Sequence, residues 1–129
     1  MRITGFYAGL LALIGLFLSA SVSGVRMKEK VSLGDGGNPA LIVAVRRFGN
    51  FAEHVPFALL LLGIVESNGI DPRMLHALGG TLFLARVLHP FGIRTDFRPN
   101  LPRALGMFAT FLVVLVAAGL ALWQCFAVR

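Results

Sequence analysis

The chain has 129 residues, 57% of them hydrophobic, and a mean hydropathy of +0.80. That excludes an ordinary soluble domain and leaves an integral membrane protein, with room for four spans of about 20 residues each. Twelve Lys and Arg against six Asp and Glu give +6, but the basic residues cluster at the ends of apolar segments, which fits membrane topology and an anionic ligand better than nucleic acid, and the single cysteine, Cys125, excludes an intrachain disulfide and a Cys-based metal site.

The first predicted helix covers residues 3–25. Its start and its small-residue end, Ser19-Ala20-Ser21-Val22-Ser23-Gly24, have the outline of a cleavable signal peptide. The apolar run is long enough to span, however, and Arg26, Lys28 and Lys30 follow it, so an uncleaved helix is expected. Residues 26–38 read as a basic, Gly-rich loop.

Asn38-Pro39 is a helix start, with Asn as N-cap and Pro in the first turn. The second helix is predicted over 39–67, about 43 Å at 1.5 Å per residue. That exceeds a hydrocarbon core of about 30 Å. Pro56 cannot donate to the carbonyl of Ala52, which predicts a kink. Arg46, Asn50 and Glu53 fall at i, i+4 and i+7 and form one polar stripe, edged by Arg47 and His54. No polar side chain follows from Phe57 to Val65. Ionisable groups confined to one end of a membrane-length helix mark a functional site by default.

Asp71-Pro72 starts a third helix, over 72–91. The short turn before it predicts that helices two and three are antiparallel neighbours. Counting outward from that turn puts Glu53 level with Arg86, and Asn50 level with His89. Arg86 and His89 share a face at i, i+3. One intramembrane cluster is therefore expected from Arg46, Asn50, Glu53, His54, Arg86 and His89, with a Glu53–Arg86 ion pair as its structural reading. A metal site is not expected, because two histidines and one carboxylate fall short of the three or four ligands zinc takes. His76 belongs to the opposite interface.

Residues 93–103 form a loop with Arg94, Arg98 and Arg103, and a fourth helix covers 101–126. Phe6, Tyr7, Trp123 and Phe126 are candidate interfacial anchors. The loops after helices one and three carry Arg26, Lys28, Lys30, Arg94, Arg98 and Arg103, against Arg2, Arg73 and Arg129 on the other side. The positive-inside rule puts the basic loops in the cytoplasm and both termini opposite. A transporter is disfavoured, since no polar path continues across the membrane.

The run Arg46-x3-Asn50-x2-Glu53-His54-x-Pro56, followed by Ala85-Arg86-x2-His89-x2-Gly92, resembles the MAPEG family, the membrane-associated proteins of eicosanoid and glutathione metabolism, in its small bacterial branch. The likeness covers nearly the whole chain. It implies an all-α, four-helix integral membrane protein of the bacterial inner membrane that assembles as a homotrimer, with glutathione bound between subunits. It implies glutathione contacts from Arg46, Asn50 and Glu53, and from His54 and His89 at positions held by tyrosine in the best-known members. Arg86 joins the same cluster, and Arg26 is placed to reach a neighbour's site. An arginine near the start of helix four, Arg98 or Arg103, would activate the thiol. The implied activity is a glutathione transferase or peroxidase acting on a hydrophobic electrophile from the bilayer. The alternative is a non-catalytic member that binds a lipid or acts as a scaffold.

Overall fold

The computed structural model describes residues 1–96 and 98–127. Phe97 of the last loop, and Val128 and Arg129, whose charge entered the topology count, lie outside the described residues. Four long helices make up the chain: α1, Arg2–Glu29; α2, Pro39–Ser67; α3, Pro72–Leu88; and α4, Leu101–Ala127. A 3-10 turn, His89–Gly92, continues α3.

Local chemistry sets the helix ends. Helix α1 runs four residues beyond its expected end. It stops where Lys30 turns left-handed (φ 56°) and returns its amide to the Arg26 carbonyl. The Asn38 side chain accepts from the amides of Ala40 and Leu41 at 2.9 and 3.2 Å, and donates to Glu29 at 2.8 Å, so one residue starts α2 and ties it to the end of α1. Helix α2 runs unbroken through Pro56, in register with its expected bounds. Asp71 caps α3 through the Arg73 amide at 2.7 Å. Asn100 caps α4 through the Arg103 amide at 3.2 Å, and donates to the Gly92 carbonyl at 2.6 Å.

Three helices, α1, α2 and α4, are long and apolar enough to cross a membrane. Helix α3 has 17 residues, about 25 Å, and its four-residue 3-10 continuation adds about 8 Å. Together they match the hydrocarbon thickness of about 30 Å. Pro90 accounts for the change of helix type, because it has no N–H to return to the Arg86 carbonyl.

The packing departs from the expected order of neighbours. Helices α1 and α4 each pack against both α2 and α3, while α2 and α3 face each other more loosely across a diagonal. The short turn joins their ends but does not make them the closest pair, because α1 and α4 wedge in from either side. The interior is filled by Leu11, Phe51, Val55, Leu62, Leu75, Leu82 and Val113. The outside is apolar as well: Leu13, Phe17, Phe57, Leu60, Phe108, Leu115 and Trp123 are all exposed. A soluble monomer does not carry so continuous an apolar coat, so the exterior is built for lipid or for other protein surfaces.

The non-basic end is held by a contact that sequence patterning did not reveal. The Glu66 carboxylate accepts from the amides of Ile3 (3.0 Å) and Thr4 (2.8 Å), and its Oε1 lies 3.7 Å from the chain's amino group. Helix α1 has no cap of its own, and α2 supplies one. Nearby, the Tyr7 hydroxyl lies 3.1 Å from His76 Nδ1 and donates to the His76 carbonyl at 3.2 Å, which gives His76 its structural role.

Candidate functional site

Helical periodicity splits the α2 stripe. Arg46 and Glu53, seven residues apart, stay on one line and face outward. They form an ion pair at 3.5 Å, with side chains 57% and 53% exposed. Asn50, about 40° round from Arg46 on the helix, turns inward and is buried. The stripe therefore has an inner member and an outer pair.

Asn50 meets Arg86, which is 1% exposed, the largest fully buried side chain in the bundle. Arg86 Nη1 donates to Asn50 Oδ1 at 2.9 Å. Its Nε donates to Thr110 Oγ1 at 2.9 Å, and its Nη2 donates to the same hydroxyl and to the Gly106 carbonyl at 3.4 Å. Thr110 in turn donates to Gly106 O at 2.8 Å. The expected Glu53–Arg86 pair does not form. Glu53 faces outward beside Arg46, about 60° round α2 from Asn50, and it is Asn50 that meets Arg86. Arg86 is instead a buried cation held by neutral oxygens.

Helix α4 can supply those oxygens because Gly106 lets it approach α3. A Cβ on Gly106 would lie 2.7 Å from His89 Cβ and 2.9 Å from Ala85 O. Thr110 was not foreseen, although it is the sole polar side chain between Ala104 and Leu122 and so carried a signal.

Beside this network, at the end that carries the basic loops, lies a cleft of about 220 Å³. Its walls include Arg46, Asn50, His89, Arg94, Arg98, Arg103 and Met107, and its described lining has no carboxylate. His89 is 2% exposed, and among the described residues its Nε2 has no hydrogen-bond partner. Four guanidinium groups around one small space, with Arg86 behind them, suit an anion: a guanidinium can donate two parallel N–H bonds to a carboxylate.

Most of the expected residues thus meet. Arg46, Asn50, His89, Arg98 and Arg103 line one cleft, and Arg86 supports it through Asn50. His54 lies on the α4 side of the stripe: its Nδ1 is 3.1 Å from the Asn50 carbonyl, and its ring centre is 5.6 Å from that of Phe111. Arg26 lies apart, donating to the carbonyls of Gly34 (2.8 Å) and Val31 (3.4 Å) within its own loop. Arg47 is structural: its Nε and Nη2 hold the Ile93 carbonyl at 3.1 and 2.7 Å, fixing the exit of the 3-10 turn against α2. Arg94, read from the sequence as a topology charge, is a wall of the cleft.

Comparison with known proteins bears on the family. The family model described as MAPEG family matches residues 4–123. Two Escherichia coli proteins, from strains K12 and O6:H1, both named inner membrane protein YecN, are each 35% identical over 121 residues, covering 94% of this chain and 91% of the relative.

Proposed function

This chain belongs to the MAPEG family, and on that premise we propose that it is a glutathione-dependent transferase or peroxidase of the bacterial inner membrane, working as a homotrimer with its basic loops in the cytoplasm. The observation that carries the reading is the carboxylate-free cleft of four arginines beside the outward Arg46–Glu53 pair. Glutathione offers two carboxylates and one ammonium. The arginines suit the former and Glu53 the latter.

Size supports the trimer. At about 220 Å³ the cleft falls below the range of about 300–1,000 Å³ common for small-molecule sites. It holds part of a tripeptide, and the remainder would extend across the exposed Arg46–Glu53 face, where a second subunit would close it. The Escherichia coli relatives are named as inner membrane proteins, in keeping with the proposed location.

In the transferase reaction the glutathione thiol loses its proton to water. An arginine at the cleft mouth, Arg98 or Arg103, stabilises the thiolate by its charge. The sulfur then forms a bond to the electrophilic carbon, and the leaving group departs with the electron pair. With a hydroperoxide the sulfur attacks oxygen, the O–O bond breaks to give the alcohol, and a second glutathione completes reduction through a glutathione disulfide and water.

Glutathione titration of the purified protein, followed by thiolate absorbance in the ultraviolet, tests the reading. A saturable signal is expected, lost in Arg46→Ala. Binding that persists unchanged in the variant would overturn the site assignment. Saturable binding without thiolate would favour the non-catalytic alternative, for which the histidines at the tyrosine positions speak.

A further inference from the structure

The wall of the arginine cleft carries a sulfur. Met107 follows Gly106 on α4, is half-buried, and lines the cleft. Two N–H groups converge on its Sδ: Asn50 Nδ2 donates at 3.5 Å and Arg86 Nη2 at 3.9 Å. For Asn50 Nδ2 that sulfur is the one partner among the described residues. The amide cannot turn away, because its Oδ1 accepts from Arg86 Nη1 at 2.9 Å. Arg86 Nη2 is little better served. It shares the Thr110 hydroxyl with Nε and reaches the Gly106 carbonyl only at 3.4 Å. A thioether is a weak acceptor, so the sulfur is the poorest partner in a network where unmet donors are costly. A sulfoxide would be a better one. Its oxygen is a polar acceptor, carried on an unbranched side chain that can set it against both donors. The other methionines, Met1, Met27 and Met74, are exposed on the outside of the bundle.

We infer that Met107 is a redox modification site: a hydroperoxide entering the cleft oxidises its thioether to the sulfoxide, which Asn50 and Arg86 hold and which weakens anion binding there. The step needs no further reagent. The sulfur lone pair attacks the terminal oxygen of the hydroperoxide. An S–O bond forms, the O–O bond breaks, and the terminal hydrogen moves to the departing oxygen to give an alcohol. Sulfur is oxidised by two electrons and the peroxide is reduced by two. The guanidinium groups of the cleft can donate to the departing oxygen as its charge develops. In the product the two donors turn to the sulfoxide, and a polar oxygen takes up room in a cleft of about 220 Å³. An anion is then held less well. The change is reversible by sulfoxide reductases. The inference takes the cleft to hold an anion and does not require glutathione; under the transferase or peroxidase reading it gives that same site control by peroxide.

The test uses the full-length protein in phospholipid nanodiscs, treated with tert-butyl hydroperoxide and checked for unchanged helical circular dichroism. Peptide mass mapping is expected to find an added oxygen on Met107 as well as on the exposed Met27. Full conversion of Met27 and Met74 with Met107 left intact would overturn the inference. Glutathione titration before and after treatment reads the consequence. Affinity should fall about tenfold, the equivalent of one hydrogen bond to a charged group. In Met107→Leu, whatever its starting affinity, peroxide should leave the value unchanged. An equal fall in that variant, or a Met107 sulfoxide that leaves the parent's affinity as it was, would overturn the inference. If the untreated parent takes up no glutathione, the glutathione reading fails by itself, and the same comparison is run by calorimetry with inorganic sulfate. Binding of neither anion would overturn both.

Discussion

Thr110→Val tests the central network directly. The substitution is nearly isosteric and leaves the helix intact, so its effect is the loss of one hydroxyl. That hydroxyl accepts from Arg86 Nε at 2.9 Å and from Nη2 of the same side chain, and both residues are buried. A hydrogen bond to a charged group contributes about 1.5–3 kcal/mol. Interhelical hydrogen bonds in membranes average about 0.6 kcal/mol, with a maximum near 1.7 kcal/mol, since the unfolded chain in lipid finds other partners. Here one acceptor serves two donors of a cation that is 1% exposed, so the upper part of the membrane range applies to each, and a destabilisation of about 2 kcal/mol is expected. The assay is loss of helical circular dichroism on titration with a denaturing detergent, run as a double-mutant cycle with Arg86→Met. Once Arg86 is gone, Thr110→Val should cost little, giving a coupling energy above about 1 kcal/mol. A Thr110→Val protein within about 0.5 kcal/mol of the parent, or strict additivity with Arg86→Met, would refute the claim that Thr110 satisfies the buried guanidinium.

Three further outcomes follow. Gly106→Ala puts a methyl group against His89 Cβ and the Ala85 carbonyl, at 2.7 and 2.9 Å; overpacking of this kind costs about 1–3 kcal/mol, and the same detergent titration should register it, a neutral result arguing against close α3–α4 approach. Glu66→Gln keeps one amide acceptor for the start of α1 but loses the charge beside the amino group. It should destabilise by about 0.5–1 kcal/mol, and Glu66→Ala by more, with amide exchange at Ile3 and Thr4 accelerating in step. Arg98→Ala and Arg103→Ala should separate thiol activation from binding: the arginine that stabilises the thiolate shifts its apparent pKa upward in the ultraviolet assay with little loss of affinity, and if neither substitution moves it, neither arginine activates the thiol.

The helices were legible because their ends carry chemistry that sequence displays. Asn38-Pro39 and Asp71-Pro72 set two boundaries by capping, and the α2 bounds agree to the residue. Helix α1 ran long because nothing in Arg26-Met27-Lys28-Glu29 disfavours helix, and a basic run looks like a loop only by analogy with soluble chains. Membership of the cleft was legible for Arg46, Asn50 and His89, since spacing reports which residues share a face and a depth. Spacing does not report which helix a face meets. The neighbours of α2 and α3 are set by how four apolar surfaces pack together, and with no charge pattern to choose between them, the counting that matched Glu53 with Arg86 carried no azimuth, and Glu53 faces outward.

That azimuth changes what the site is. A Glu53–Arg86 pair would have neutralised both groups inside one subunit and left a structural clasp. Instead the sole carboxylate of the α2 stripe faces outward beside Arg46, while Arg86 is buried among neutral acceptors. A buried cation without a counter-ion is costly, and evolution toward stability alone would favour an apolar side chain there. Its field adds to that of the four arginines of the cleft, and an anion in the cleft would offset part of that cost. The outward pair carries the complementary problem: charges on a membrane-length helix need a polar surface against them. Under the proposed function both would be relieved by the same event, binding of a zwitterionic molecule with excess negative charge at a contact between copies.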